Sequence, residues 1–362
     1  MNIFFLLSLL SFTNVVTTTT SLLYMRKKMN DKFSFLYNFT HLYTPITNAK
    51  NHIHSFVSLQ ENKPSPMFFS KINSYLRLIR YKNILPTIGL SYTGAFLVNP
   101  SFYTITSKIL MISTLIIMGA MSSSMIMNDL FDMKIDKINN PNRPLITGEI
   151  SEKEAHIVNA AILVGVELLN IFYLPRYFQN IIHVILFSLF IYTPKIKKIT
   201  FLKNIYCAFI VSFASYFSAI LYSTSLTSPT IQNIGLLKLF SQTVFLGSLF
   251  NEILLDIRDC EGDYVNNVRT LPVIYGNSNA LMVSSGTLKM NFMWNMYHMI
   301  ELFGLQYALF VPFIFLPMMY GVKKIRNSDY IPTFVMETVD KSTKSLLFLL
   351  MYYSFIATTK KW

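Results

Sequence analysis

Charged side chains make up only 14% of this 362-residue sequence. A soluble domain usually carries about 25% charged residues, so these charges are too few to cover a water-facing surface. Hydrophobic residues occupy 52% of the positions, and the mean hydropathy is +0.41. This composition excludes a disordered tail or a fibrous repeat and argues against a soluble two-domain enzyme. It predicts an all-α, polytopic membrane protein whose surroundings are the lipid bilayer.

Cysteine is also rare, since Cys207 and Cys260 are the only two in the chain. Two cysteines cannot build a disulfide framework or a cysteine-rich metal site, so we expect two free thiols. Acids are few as well, with 18 Asp and Glu against 31 Lys and Arg and a net charge of +13. Most of the basic residues fall in short gaps between apolar runs, where membrane topology and lipid headgroups explain them. The charge therefore does not indicate a nucleic-acid partner, and the sequence indicates no protein partner.

The first 74 residues have the pattern of a targeting region. Residues 1–24 contain an apolar core at 3–11 that is too short to cross a bilayer and is typical of a signal peptide. Residues 25–74 are basic, and Asp31 and Glu61 are their only acids. We interpret the pair as a bipartite address that favours a plastid membrane, with an ER or other organelle membrane as the alternative. The folded domain is predicted at 75–358.

Apolar stretches recur from residue 78 onward and are separated by short polar gaps. A helix of about 20 residues crosses the hydrocarbon core of a bilayer, so these stretches predict nine transmembrane helices. Basic residues concentrate in alternate gaps, which places the N-terminus and the 2–3, 4–5, 6–7 and 8–9 gaps on the cytosol-equivalent side. The predicted spans are 80–98, 109–127, 155–174, 180–194, 204–224, 233–251, 279–299, 303–322 and 342–358.

Two clusters of acids stand out because acids are so scarce. The first ends the second span, where Asn128, Asp132, Asp136 and Asn139 follow spacings of i, i+4, i+8 and i+11. A helix turns by about 100° per residue, so these four side chains are predicted to share one helix face. Prolines soon after Asn139 should end that helix.

The second cluster ends the sixth span and has nearly the same spacing. Glu252, Asp256, Asp259 and Asp263 follow i, i+4, i+7 and i+11 and are also predicted to share one face. Like charges on one helix face repel each other, so both clusters indicate a bound cation. The alternative is a pair of solvated helix ends whose charges keep the loops in water.

Oxygen ligands on two facing helices suit Mg²⁺, which keeps some of its waters and commonly shares its coordination with a phosphate. We therefore expect the two clusters to hold Mg²⁺ and to cradle a diphosphate. Arg143 and Lys197 lie in gaps on the same side of the membrane. Their charged groups are suited to the outer phosphate oxygens. A capping box formed by Ser151 and Glu154 should open the third span.

These clusters resemble the two motifs of the UbiA family of intramembrane prenyltransferases. The run NDLFDMKIDKINNPNRP, which begins at Asn128, is similar to NDxxDxxxDxxNxxxRP. The run DIRDCEGDYVNNVRTLPVIYG, which begins at Asp256, is similar to DxxDxxGD followed by TLPxxxG. The segment YTPKIKK at 192–198 resembles the family's loop containing Tyr and Lys. The similarity covers residues 75–357, and the motifs are most like those of the geranylgeranylglyceryl-phosphate, chlorophyll-synthase and homogentisate branches. Asn251 departs from the Arg that the first of these branches tends to carry there.

The resemblance implies a nine-helix bundle with a lateral, cytosolic-side active-site cavity. It implies Mg²⁺-dependent ionisation of a polyprenyl diphosphate, of geranylgeranyl type, followed by attack of a lipophilic or aromatic acceptor on the allylic cation. The implied metal ligands are Asn128, Asp132, Asp136, Asp256, Asp259 and Asp263. The residues implied to bind the diphosphate are Asn128, Asn139, Arg143, Tyr192 and Lys197. The implied catalytic residues are Asp132, Arg143, Lys197 and Asp259.

Three alternatives remain open at this point. A terpene cyclase of the same family would ionise the diphosphate and let the cation close on itself. A cation transporter is disfavoured because its ion site usually lies near the bilayer midplane, whereas these acids lie at helix ends. A catalytically inactive scaffold is disfavoured because no ligand position in either motif is lost. The acceptor also stays open among chlorophyllide, homogentisate, a naphthoate, a glycerol phosphate ether and a hydroxybenzoate.

Overall fold

A computed structural model describes residues 68–226 and 234–359 of the chain. The predicted signal-peptide-like segment and most of the predicted transit-like segment lie outside the described residues. The first described helix begins at Phe68, before the predicted start of the folded domain at 75. The described residues contain helices and turns and no β-strand, as expected for an all-α chain.

Thirteen helices of five or more residues are described in these ranges, and we number them in chain order. They are α1 Phe68–Leu78, α2 Ile84–Val98, α3 Lys108–Phe131, α4 Met133–Asn139, α5 Glu152–Tyr173, α6 Arg176–Tyr192, α7 Leu202–Thr224, α8 Ile234–Arg258, α9 Cys260–Val265, α10 Leu271–Tyr275, α11 Asn277–Phe303, α12 Val311–Asn327 and α13 Pro332–Thr359. Single helical turns lie at Phe102–Ile105 and Leu305–Ala308, and 3₁₀ turns at Tyr81–Asn83 and Ile196–Lys198.

One long helix accounts for most of each predicted apolar span except 303–322, which starts at the last residue of α11, passes through the single turn at Leu305–Ala308 and enters α12 at Val311. Five helical segments are long and apolar enough to cross a membrane, judged by length and composition, within the described residues. These are α3, α5, α7, α8 and the segment Leu305–Asn327, which combines a single turn with α12. The remaining long helices, α2, α6, α11 and α13, do not meet that criterion. The all-α membrane architecture is therefore confirmed, whereas the count of nine transmembrane helices stays a prediction.

α8 lies in the middle of the bundle and packs against α7, α11 and α13. Its side chains Phe240, Phe250, Ile253 and Leu254 are completely buried. A second apolar cluster joins α3, α5, α6 and α7. Lipid tails are as apolar as these side chains, so close packing rather than water exclusion holds such helices together.

A buried polar network crosses the same core. Asn295 of α11 donates to Oγ1 of Thr243 in α8 at 2.9 Å, and the Tyr353 hydroxyl of α13 donates to Oδ1 of Asn295. Asn291 donates to the backbone carbonyl of Thr243 at 3.1 Å. Water is absent at this depth, so polar groups of neighbouring helices must satisfy one another. The network therefore fixes the rotation of α8, α11 and α13 about their axes.

The predicted capping box is confirmed at the start of α5. The Ser151 hydroxyl accepts from the Glu154 amide at 3.2 Å, and the Glu154 carboxylate accepts from the Ser151 amide at 2.8 Å. Glu149, two residues before Ser151, also anchors α1, because its carboxylate accepts hydrogen bonds from Ser74 and Arg77 of that helix. α1 is therefore tied to the loop that follows the first acidic motif.

α2 and α7 approach so closely that a side chain at one position would collide. A Cβ atom placed on Gly94 of α2 would lie 2.3 Å from the carbonyl oxygen of Ser215 in α7. Small residues at such contacts let helix backbones meet inside a membrane. Gly94 is therefore required by packing rather than by backbone conformation.

Replacement of Gly94 by alanine should force α2 and α7 apart. We expect Gly94→Ala to lower the free energy of unfolding by about 1–3 kcal/mol, the usual cost of overpacking a core. The measurement is thermal unfolding of the purified full-length protein in detergent. Gly165→Ala is the matched control, because a Cβ there meets nothing within 4 Å and alanine favours the helix. Equal stability of the two variants would contradict the close contact.

Candidate active site

Both acidic motifs lie where a long helix ends and a short one begins. Asp132 separates α3 from α4, with backbone angles of φ −92° and ψ 7°. Asp259 separates α8 from α9 in the same way, with φ −91° and ψ 5°. The prediction that each carboxylate stripe lies on one continuous helix is therefore wrong. Neither aspartate caps the short helix that follows it. The Asp132 carboxylate instead accepts from Lys197, 65 residues away, and the Asp259 carboxylate accepts from Arg258, so ion pairs and not a helical cap accompany the two breaks.

The two breaks make the motifs equivalent. Each motif carries three aspartates in the spacing D-x₂-D-x₃-D, with the middle aspartate at the break. The outer two aspartates of each motif are buried, and the middle one is partly exposed. α4 packs against α9, so the two motifs end side by side. We call Asp129, Asp132 and Asp136 the first triad, and Asp256, Asp259 and Asp263 the second triad.

Two arginines from different parts of the chain neutralise Asp129. Its Oδ1 atom lies 2.8 Å from Arg80 Nη2 and 2.9 Å from Arg143 Nη1. Arg80 has a left-handed backbone conformation, with φ 52°, in the turn between α1 and α2. An unpaired buried carboxylate would be strongly unfavourable. Asp129 therefore ties the turn before α2 to the loop that carries Arg143.

The other two carboxylates of the first triad also contact basic side chains. Arg143 donates to Asp136 Oδ2, and Lys197 donates to Asp132 Oδ2. Burial raises the pKa of Asp136, although Arg143 and the side chain of Asn140 oppose that rise. The two basic residues predicted to bind a diphosphate therefore both lie at the first triad.

The second triad is held by its own basic partners. Lys203 Nζ lies 2.7 Å from Asp256 Oδ1, and Asn204 donates to Asp256 Oδ2 at 2.9 Å. Both partners come from the first turn of α7. Arg258 donates to the two carboxylate oxygens of Asp259, each at 2.6 Å. The planar guanidinium matches this bidentate geometry.

Asp263 differs from the other five aspartates. Its carboxylate makes no ion pair or side-chain hydrogen bond to another described residue, although the residue is only 7% exposed. Burial raises the pKa of Asp263 to about 6, against the lowering effect of Lys203 and Lys197. Asp263 therefore contributes a buried carboxylate without a direct partner of opposite charge.

The described residues contain no group of three or more His, Cys, Asp or Glu side chains arranged to hold a metal ion. Five of the six predicted ligands, all except Asp263, contact protein groups instead; Asn128, for example, accepts from the Thr193 hydroxyl at 2.7 Å. The donor set nevertheless fits Mg²⁺, because carboxylate and amide oxygens are the ligands that this ion prefers. A cation would also satisfy the unpartnered carboxylate of Asp263.

An apolar cavity lies between α2, α3, α6 and α7 and extends away from the triads. We call it the apolar cavity. Twelve residues of α3 separate its two ends, which is about 18 Å at the helical rise. Its polar end is lined by Asn128, Tyr192, Cys207 and Glu252. Its apolar end is lined by Ile116, Ile117, Ile182, Phe213 and Phe217.

Aromatic rings lie at both ends of the apolar cavity. At the polar end, Tyr192 stacks on Tyr206 with ring centroids 5.0 Å apart, and its hydroxyl accepts from Cys207 at 3.1 Å. At the other end, Phe217 packs edge-to-face against Phe178 at 5.7 Å. Both cysteines are free thiols, as expected. Tyr192 thus borders the apolar cavity, whereas Lys197 contacts the first triad.

Further polar residues contact the triads or line the apolar cavity without belonging to the predicted site. Arg80, Lys203 and Arg258 are basic residues that membrane topology explains in the sequence, and Asn204 lies outside both motifs. Glu252 belongs to the second acidic cluster but is not among the predicted ligands. A common signal could have identified them, because charged or amide side chains near a membrane-spanning helix require a polar partner.

Comparison with known proteins gives a family and several named relatives. The UbiA prenyltransferase family model matches residues 85–335. Digeranylgeranylglyceryl phosphate synthase of Methanococcus aeolicus is 26% identical over 240 residues, which are 66% of this chain and 81% of that protein. The enzyme of the same name from Saccharolobus solfataricus is 27% identical over 252 residues, which are 68% of this chain and 84% of that protein. These relatives give no support to the predicted plastid membrane.

Solved structures show the same fold. A structure of digeranylgeranylglyceryl phosphate synthase has a TM-score of 0.57 at 20% identity and covers 80% of this chain and 99% of that chain. A UbiA homologue from Archaeoglobus fulgidus bound to GPP and Mg²⁺ has a TM-score of 0.57 at 18% identity and covers 79% of this chain and all of that chain. The family match extends over both acidic motifs and most of the helical bundle, so this chain belongs to the UbiA prenyltransferase family and is an integral membrane prenyltransferase.

Proposed function

We propose that the protein transfers a polyprenyl group of about geranylgeranyl length from its diphosphate to a lipophilic acceptor, with Mg²⁺ as cofactor. The observation that carries this proposal is the apolar cavity, whose polar end adjoins the two triads and their basic partners. A molecule with a hydrocarbon chain and a multiply charged head fits such a site. Digeranylgeranylglyceryl phosphate synthases are relatives of this chain, which favours a hydroxyl of a glycerol phosphate ether as the acceptor.

The length of the apolar cavity supports a long donor chain. Three backbone bonds of an extended polypeptide span about 3.6 Å, so the four bonds of an isoprene unit span about 5 Å. The cavity length of about 18 Å therefore accommodates roughly four such units. Phe217 and Ile116 at its closed end would set this limit.

The charged end supports binding of a diphosphate. Arg143 and Lys197 now contact carboxylates of the first triad, and both are able to donate to phosphate oxygens when cations occupy the triads. Bound Mg²⁺ would stabilise the negative charge that the diphosphate gains on leaving. The proposed ligands are Asn128, Asp132, Asp136, Asp256, Asp259 and Asp263.

The walls of the apolar cavity would protect the reacting carbon from water. Aliphatic and aromatic side chains of α3, α6 and α7 line most of its length. An allylic cation formed at the polar end would face the rings of Tyr192 and Tyr206, which stabilise positive charge through their faces. The acceptor hydroxyl would then form the new bond to carbon and release its proton.

The first test is a transfer assay on the full-length protein in membranes. Labelled geranylgeranyl diphosphate and Mg²⁺ are supplied with and without glycerol phosphate ether and aromatic acceptors. Asp132→Asn and Asp259→Asn should each lower diphosphate release by about 100-fold or more, because each removes a charge that acts on the leaving group. Asp340→Asn, at an exposed acid of α13, is the matched control and should retain activity.

The products of this assay separate the competing functions. Label on one acceptor supports the transferase and identifies its substrate. Release of a cyclised hydrocarbon without an acceptor would instead establish a terpene cyclase. No diphosphate release for any prenyl length from folded protein would refute the proposed transfer reaction.

The closed end of the apolar cavity should select the donor length. We expect Phe217→Ala to raise the relative kcat/KM for donors one isoprene unit longer than the preferred one by about 10-fold, since it opens space beyond the closed end. Phe187→Ala is the control, because Phe187 of α6 is exposed on the outer surface. Competition between labelled donors of different length gives the ratio. An unchanged preference in folded Phe217→Ala protein would place the length limit elsewhere.

The close contact between α4 and α9 depends on a glycine. A Cβ on Gly262 of α9 would lie 2.0 Å from Oδ1 of Asn139 in α4. Gly262→Ala should therefore displace the side chain of Asn139, a proposed diphosphate ligand, and lower kcat/KM by about 10-fold, as small misplacements of binding groups do. Gly286→Ala is the control, because a Cβ there meets nothing within 4 Å. Wild-type kcat/KM in Gly262→Ala would show that the position of the Asn139 side chain does not matter.

A further inference from the structure

Besides the apolar cavity, a groove lies on the outer surface between α12 and α13 and plays no part in the proposed reaction. It has four aromatic side chains along most of its length and two lysines at one end. Its lining residues are Phe310, Phe313, Ile314, Pro317, Lys341, Lys344, Ser345, Phe348 and Tyr352. We call it the α12–α13 groove.

The contacts between the two helices show how the groove is oriented. Lys341 lies over the ring of Tyr320, 5.6 Å from its centroid, near the C-terminal end of α12. At the opposite end, the rings of Phe310 and Tyr352 are 5.6 Å apart. The antiparallel helices therefore place the lysines at the end of the groove nearest the basic C-terminal turn of α12, which contains Lys324 and Arg326. The positive-inside rule assigns this end to the cytosol-equivalent side.

The length of the groove matches one leaflet of a bilayer. Eleven residues of α13 separate Lys341 from Tyr352, which is about 16 Å at the helical rise. Half of the hydrocarbon core is about 15 Å thick. Phe313 and Phe348 are 71% and 63% exposed, so a hydrocarbon chain in the leaflet reaches both rings.

The lysines provide a positive end that is only partly neutralised. Lys341 Nζ lies 2.9 Å from Glu337 Oε1, and Glu337 also binds Lys324 at 2.7 Å. One carboxylate is thus shared by two ammonium groups. Lys344 is exposed and has no acidic side chain within 4 Å among the described residues, and Asp340 does not line the groove. Long lysine side chains at this level extend to the headgroups while their stems stay in the apolar layer.

We propose that the α12–α13 groove is a binding site for an anionic phospholipid of the cytosol-equivalent leaflet. The phosphate would lie at Lys341 and Lys344, and one acyl chain would lie along Phe348 and Phe313. A zwitterionic lipid fits the apolar part of the groove equally well but gains less from the two ammonium groups. The site is independent of the proposed prenyl transfer, since none of its residues belongs to the triads or the apolar cavity.

The test is lipid binding to the purified full-length protein, measured by native mass spectrometry. Delipidated protein is titrated with phosphatidylglycerol and phosphatidylcholine that carry identical acyl chains. We expect the wild type to prefer phosphatidylglycerol by about tenfold or more, and each of Lys341→Ala and Lys344→Ala to lower that preference by about fivefold. Lys344→Arg should retain it, because the charge is kept. Phe313→Ala should weaken the binding of both lipids to the same extent, since it removes only apolar contact.

Lys289→Ala is the matched control, because Lys289 is an exposed lysine of α11 outside the groove. An equal loss of preference in this control would show that net charge, not the groove, selects the lipid. An unchanged preference in a folded Lys341→Ala, Lys344→Ala double variant would also overturn the proposal. So would displacement of phosphatidylglycerol from the groove by stoichiometric geranylgeranyl diphosphate, which would make the groove a second donor site.

Discussion

Charge compensation at one end of the bundle is the interaction on which the rest of the structure depends. Six aspartates in two triads lie at the ends of α3 and α8, and four of them are buried. Three of these four, Asp129, Asp136 and Asp256, have basic partners. Buried carboxylates cost several kcal/mol each unless they are paired. The pairing groups come from the turn before α2, the loop after α4, the loop before α7 and the first turn of α7. The triads therefore hold together the turn before α2, the loop after α4 and the start of α7, and the same charges form the proposed site for a diphosphate.

The two triads follow the same structural plan. Each has the spacing D-x₂-D-x₃-D, a helix break at the middle aspartate and a short helix beyond it. The short helices α4 and α9 meet where Gly262 leaves room for Asn139. This contact brings carboxylates from two halves of the chain to one place, beside the polar end of the apolar cavity. A hydrocarbon chain and a charged head can then be bound by neighbouring parts of one site.

The outer surface of the protein is also not uniform in the lipid groups that it can contact. Most exposed aromatic and aliphatic side chains of the long helices require only lipid tails. The α12–α13 groove adds two lysines at the level where apolar residues of α12 give way to basic ones. Contacts with headgroups and with tails are thus combined in one groove, whereas the apolar cavity faces the interior of the bundle. The fold separates a site for chemistry from a surface adapted to one class of lipid.

Local sequence patterns determined the membrane class, the apolar spans, the capping box at Ser151 and the position of both acidic motifs. Each of these depends on residues within a few turns of one another, so composition and spacing are sufficient. Only the tertiary structure decided that Asp132 and Asp259 break their helices, that Arg80 pairs with Asp129 across 49 residues, and that Lys197 reaches Asp132 across 65. The residues that line the apolar cavity and the α12–α13 groove could not be predicted either, because each is a space between helices whose rotation is set by packing. The physical reason is that charge pairing and helix packing act between residues far apart in sequence, whereas sequence periodicity describes only the residues of a single helix.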